Sequence, residues 1–415
     1  MKKHYKIAAL MISLLLLAFS LSACTLNKKS TSTNESNNSS NSVTNADTES
    51  VLNEDTVSVT NEGATAISLN GNSVNINGNG ATADGSVITV TAGGTYEING
   101  TLSDGRIIVN ADGEEVTLIL NNANITCSYS SAIYVYDAKN TTIYVADGST
   151  NTLSDGSSYK YNDSYSSQAD EEPNACIYSK DDLVIAGSGS LTVNGNLNNG
   201  ITSKDTLVIE SVNLAVNAKN TGIKGKDDLI IKSGVYTLNC DGDAIHGDNN
   251  VTIADGTFTL TSNDDGIHAD NTVTINNGTY KINAHEGIEG TVVVINNGSI
   301  EINASDDGIN AAQKIDGVTP TVEINGGEIT INMAQGDTDG IDSNGNIVIN
   351  GGTVSVNGQS PFDYDGTATL NGGTVYTNGT QVTSISNQFG GGMDGGQMPG
   401  GMGGQPPQGG HGPRG

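Results

Sequence analysis

Residues 265–288 read DGIHADNTVTINNGTYKINAHEGI, with an acid and a glycine leading into an isoleucine at both ends. Between Ile267 and Ile288 lie a short apolar segment (273–275), an Asn277-Gly278 turn and a second segment (279–283) in which apolar and polar residues alternate. Alternation is the mark of a strand with one buried face. The acid and isoleucine return as Asp243-Ala244-Ile245, Asp307-Gly308-Ile309 and Asp339-Gly340-Ile341. The isoleucine spacings are 267 − 245 = 22, 288 − 267 = 21, 309 − 288 = 21 and then 341 − 309 = 32, where an inserted loop is expected. Ile177, Ile201 and Ile223 extend the register upstream without the acids. Short Val/Ile/Thr-rich strands repeating every 22 residues or so, broken by Asn-Gly turns, describe a chain coiled and stacked on itself. Stacked coils run parallel, and parallel crossovers are almost always right-handed. The predicted fold is all-β: a right-handed parallel β-helix. Glycine and asparagine at the corners supply positive φ, and the recurring asparagines are expected to stack as amide ladders inside those corners.

Stacking sets equivalent side chains about 4.8 Å apart, so Asp243, Asp265, Glu286, Asp307 and Asp339 form a column of like charge. Each neighbouring pair costs roughly 1 kcal/mol even in water. Basic residues are sparse nearby, and the column therefore reads as a cation site. Calcium takes six to eight oxygens at about 2.4 Å, more than one coil offers but within reach of two. The candidate ligands are Asp241, Asp243, Asp264, Asp265, Glu286, Asp306, Asp307, Asp337 and Asp339, with glycine beside them to free backbone carbonyls. A second column, one residue after each isoleucine, holds His246, His268, Glu289, Asn310, Asp342 and Asp363. Magnesium suits so wide an array less well. Zinc would find only His246, His268 and His285, with no thiolate in register. The competing reading is of solvated Asp-Gly turns chosen for corner geometry; five acids in one column favour the metal. Asp181, Asp182, Asp227 and Asp228 fall on coils without that column and read as surface charges.

The 415 residues carry 17 basic and 46 acidic side chains, a net charge of −29, which excludes nucleic acid and anionic lipid surfaces as partners. An acidic polysaccharide is a partner only if divalent cations stand between the two. Residues 1–24 read as an export signal: Lys2, Lys3 and Lys6, then an apolar run, then Leu21-Ser22-Ala23-Cys24. That ending resembles a bacterial lipobox, with Cys24 the lipidated residue and the protein held on the outer face of the cell membrane by lipid alone. Residues 25–50 read as a disordered Ser/Asn/Thr tether, 51–389 as the β-helix and 390–415 as a disordered Gly/Met/Pro/Gln tail. Cys127, Cys176 and Cys240 are expected to be small buried hydrophobes, a Cys127–Cys176 bridge being the alternative. Nothing in the repeats calls for a second copy of the chain, and a monomer is expected.

The run from Tyr96 to Arg106 (YEINGTLSDGR), with residues 116–120 (VTLIL) and 132–135 (AIYV), resembles bacterial surface carbohydrate-binding β-helix proteins. The later Asp-Asp-Gly-Ile repeats and the Gly/Met/Pro/Gln tail resemble that family too, and the likeness covers most of residues 56–388. It implies calcium and a cellulosic or pectic polysaccharide as partners, and places calcium at the acidic turns without a residue-by-residue assignment. Tyr159, Tyr161 and Tyr165 lie on a polar loop, where they either stack on sugar rings or lid the helix. No catalytic residue is assigned. A lyase would need a lysine or arginine base beside the ions, and Arg106 is far upstream. Asn263-Asp264-Asp265-Gly266 is similar to part of a β-helical glycoside hydrolase site, whose completing Gly-His-Gly and Arg-Ile-Lys segments are missing. Repetition suits binding along a polymer better than catalysis at one asymmetric centre. A polysaccharide binder is therefore expected, ahead of a polyuronate lyase or hydrolase and of a calcium-stiffened adhesive protein.

Overall fold

The alternating segments build a parallel β-solenoid in the computed structural model, which describes residues 57–387 apart from Asp337. The signal segment, Cys24, the tether, the glycine-rich tail and Asp337 lie outside the described residues. Among the described residues there are 34 strands and no helix, wound into about 13 coils. Each later coil contributes one strand to each of three stacks. The coil that begins at Ile245–Gly247 continues through Asn250–Ile253 to Thr257–Ser262. Each of these strands pairs in parallel with its counterpart one coil on.

Parity decides what lies inside. In the first stack Ile177, Ile201, Ile223, Ile245, Ile267, Ile288, Ile309 and Ile341 pair in unbroken register, and Phe362 closes the series. All are buried, each contributing roughly 1.5–3 kcal/mol by leaving water. In the third stack Tyr236, Phe258 and Tyr280 lie face to face, with ring centres 4.7 and 4.6 Å apart. Cys127, Cys176 and Cys240 are buried and free, which excludes the Cys127–Cys176 bridge.

The amide ladders run along the solvent side of the coils, one within strands and one at the corners. Asn283, Asn303, Asn332 and Asn357 are linked at 3.0, 3.1 and 2.9 Å on half-buried positions, and Asn276, Asn296, Asn325, Asn350 and Asn371 form a more exposed ladder. The reason is again parity: Ile282, Ile302, Ile331 and Val356 fill the inward positions beside the first ladder.

Antiparallel hairpins close both ends. Thr65–Gly71 pairs with Ser73–Asn77, Ala81–Asp84 with Val87–Val90, and Thr374–Thr377 with Thr380–Val382. Such caps cover strand edges that would otherwise template association. Two long loops leave the stack, residues 155–174 and residues 312–320, and both return to the face that carries the acids.

Candidate functional site

The acidic turns owe their glycines to close packing between coils. A Cβ on Gly287 would stand 2.3 Å from the Gly308 carbonyl oxygen, and one on Gly308 would stand 2.4 Å from that of Gly340. The amides of Ala244, Gly266, Gly287 and Gly308 each donate 2.9 Å bonds to the carbonyls of Asp265, Glu286, Asp307 and Asp339 on the next coil. Those carbonyls therefore serve the coil-to-coil ladder; glycine does not free them for a cation.

The column is chemically divided. In its upper half the protein supplies its own positive charge. His246 donates from Nδ1 to Asp243 at 2.6 Å and from Nε2 to Asp248 at 3.0 Å, and Lys224 reaches the same Asp248 oxygen at 2.7 Å. One coil on, His268 Nδ1 lies 2.5 Å from Asp265 and 3.0 Å from Glu289, with Nε2 3.3 Å from Asp270. The two imidazoles stack with centres 4.6 Å apart. Lys314, delivered by the 312–320 loop, completes the set 2.8 Å from Glu289. Burial works against charge on His268, but its bonds to Asp265 and Glu289 prevail and carry its pKa up to about 10. Glu289 is likewise buried, yet His268 and Lys314 pull it down to about 2. Asp265 is pushed up to about 6, because burial and the charges of Asp243 and Glu289 outweigh its bond to His268. Bases are therefore not sparse beside this half of the column: Lys224 comes from a coil upstream of the acidic turns, and Lys314 is brought in by the insertion.

The lower half has no such compensation. Among the described residues no ion pair reaches Glu286, Asp307 or Asp342. Burial first, then Glu289, Asp265 and Asp307, push Glu286 up to about 8 against a 3.0 Å bond from Asn310. Burial and the neighbouring charges of Asp342, Asp306 and Asp339 push Asp307 up to about 7. Burial, Asp363 and Asp339 raise Asp342 to about 6. Asn310 stands in register between Glu289 and Asp342 and is 9% exposed. Its Nδ2 is spent on Glu286, and its Oδ1 is buried without a hydrogen-bond partner. A buried amide oxygen facing no donor is costly, by about 1–3 kcal/mol. Carboxylates and an orphaned amide oxygen are the donor set of a hard cation.

The remaining candidates separate by exposure. Asp243 and Asp265 are buried, and the Asp264 carboxylate gathers with theirs from the exposed side. Asp306 gathers with Glu286 and the exposed His285. Asp241 points outward and pairs with Lys219 at 3.2 Å. Asp181 and Asp182 accept backbone amides of Ala138 and Thr206, so they staple corners as well as carrying charge.

The three loop tyrosines are committed to fastening residues 155–174. Tyr159 donates to Asp155 at 2.6 Å and to the Ala175 carbonyl at 3.0 Å, and Tyr161 reaches the Pro173 carbonyl at 3.4 Å. Tyr165 packs edge-on against Tyr136, and its carbonyl accepts from Tyr134 at 2.9 Å. The buried Arg106 grips Asp163 of the same loop and Ser130 at 2.8 Å.

A family model described as carbohydrate-binding domain-containing protein matches residues 84–338 and 290–382. A carbohydrate-binding domain-containing protein of Acetivibrio thermocellus is 42% identical over 132 residues, which span 32% of this chain and 45% of that relative. Less than half of the relative's length is thus matched. A solved structure described as a polysaccharide lyase-like protein from C. thermocellum, a gadolinium derivative, is 28% identical. It covers 76% of this chain and 96% of its own, with a TM-score of 0.39.

Proposed function

The chain belongs to the carbohydrate-binding domain-containing family, and from that premise we propose that it holds a plant-type polysaccharide at the cell surface through calcium bound in the lower acidic column. The observation that carries this reading is Asn310, whose buried, partnerless Oδ1 lies in register between Glu289 and Asp342, beside the acids Glu286, Asp307 and Asp342 that no ion pair among the described residues reaches. Asp339 lies on the same coil as Asp342, and its charge is felt by both Asp307 and Asp342. Three successive coils then contribute oxygens for calcium, with sugar hydroxyls, sugar carboxylates or water filling the rest. A protein of charge −29 attracts a polyuronate only across such an ion.

The reading is of a binder, not an enzyme. A lyase needs an uncharged base beside the cation. Of the bases beside the column, Lys314 and His268 are held protonated by Glu289, and the exposed His285 stands 3.8 Å from Asp306. Cys24 as a lipidated N-terminus would place the domain outside the membrane.

The test is a pull-down on insoluble pectic and cellulosic polysaccharide in millimolar calcium and in EGTA, with unsaturated and reducing sugars assayed in the supernatant. Pectic binding is expected in calcium, lost in EGTA, with no product released. Sustained product formation abolished by Asp307→Asn would overturn the binder in favour of a lyase or hydrolase.

A further inference from the structure

The inner side of the 155–174 loop and the coils beneath it form a half-open cavity of about 270 Å³, lined by Asn174, Asn198, Asn199, Asn220 and charged side chains of both signs. That lies near the lower end of small-molecule sites, about 300–1,000 Å³. Its floor belongs to the same column as the acids. Thr202 and Lys224 occupy the register that His246 and His268 hold further on. Here the position two residues before the isoleucine is Asn199, not an aspartate.

The polar groups are wired in place. Asn199 is 5% exposed; its Nδ2 donates to Thr202 at 3.1 Å, and its Oδ1 accepts from Asn220 at 3.3 Å and from the Thr221 amide at 3.2 Å. Glu172, from the loop, is fixed between Lys204 at 2.8 Å and Lys180 at 3.4 Å. Asn174 carries a buried Oδ1 with no hydrogen-bond partner. Lys204, Lys224 and Lys226 balance Asp170, Glu172 and Asp248 around the lining. Tyr178 is 1% exposed and offers no open ring face.

This combination selects a ligand. An apolar molecule finds no apolar wall. An anion meets carboxylates already holding Lys204 and Lys224, and a cation meets those lysines. A hydroxyl both gives and accepts a hydrogen bond, and so suits amides, ammonium groups and carboxylates together. We propose that this cavity is a second sugar subsite, one that takes an uncharged segment of polysaccharide without calcium. The proposal rests on the carbohydrate-binding reading above but not on its cation.

Isothermal titration of the full chain with uncharged cello-, xylo- and mannotetraose, and separately with tetragalacturonate, tests it in calcium and in EGTA. At least one uncharged tetraose is expected to bind with the same Kd in both buffers. Asn198→Ala with Asn220→Ala should weaken it about tenfold or more, and the exposed Lys226→Ala a few-fold. Both variants should keep the calcium-dependent binding of tetragalacturonate, and Lys226→Ala the wild-type Tm. Uncharged binding that is untouched by these variants, or that disappears in EGTA, would overturn the subsite. So would tetragalacturonate binding with no uncharged tetraose bound at all. If no sugar of either kind binds, the carbohydrate reading falls with it.

Discussion

Glycine recurs between the acid and the isoleucine because adjacent coils pass too close for a side chain there. Gly287→Ala would set a Cβ 2.3 Å from the Gly308 carbonyl oxygen, and the coils would have to part. Overpacking of this kind costs about 1–3 kcal/mol. Urea denaturation should show that loss, whereas Gly113→Ala, where a Cβ meets nothing within 4 Å but sits at φ +71°, should show only local backbone strain. His268 makes a second prediction at this scale. Its folded pKa of about 10 exceeds the unfolded value of 6.5. Its stabilisation is therefore fully present below 6.5 and lost as pH rises through about 10. Tm measured in EGTA between pH 6 and pH 10 should fall, and His268→Asn should flatten that fall. Equal slopes for the two proteins would contradict the assignment. At single positions the sequence showed the acids, the histidines and their spacing. It did not show which acids are neutralised, because Lys224 and Lys314 reach the column only through stacking and a loop.

The elements were more legible than their junctions. The isoleucine spacing named the strands, and the expected segments 273–275 and 279–283 fall within the observed strands Ile267–Ile275 and Thr279–Ala284. The jump of 32 residues before Ile341 marked the 312–320 insertion, yet nothing in it said that Lys314 would land on Glu289. The 155–174 loop was likewise visible as polar sequence, but its cavity depends on Arg106, more than 50 residues upstream, gripping Asp163 (|i−j| = 57). Removing one partner of such a pair leaves a charge without its counter-ion. Arg106→Met should therefore loosen the loop while the stacked coils persist. Limited proteolysis should cut between residues 157 and 172 at least several-fold faster than in the wild type, with the strand signal in circular dichroism retained. An unchanged cleavage rate would mean that the tyrosine contacts hold the loop without the arginine.

Across the whole molecule, stacking turns one local motif into a graded face. Tyr134 and Tyr178 are followed in register by Thr202, Lys224, His246, His268, Glu289, Asn310 and Asp342. The face thus passes from aromatic and neutral, through self-neutralised ion pairs, to bare acid. A polymer lying along it would meet the charge-balanced cavity at one end and the proposed calcium at the other, and repeated weak contacts along one chain add up through effective concentration. The cation is the central claim. Its most direct test is calorimetric titration of calcium into EGTA-stripped, dialysed protein, beside Asp307→Asn with Asp342→Asn and, as a control on the outward acids, Asp241→Asn. The account predicts saturable calcium binding in the wild type and in Asp241→Asn, with at least one site missing from the double variant. The same stoichiometry and affinity in all three proteins would contradict it.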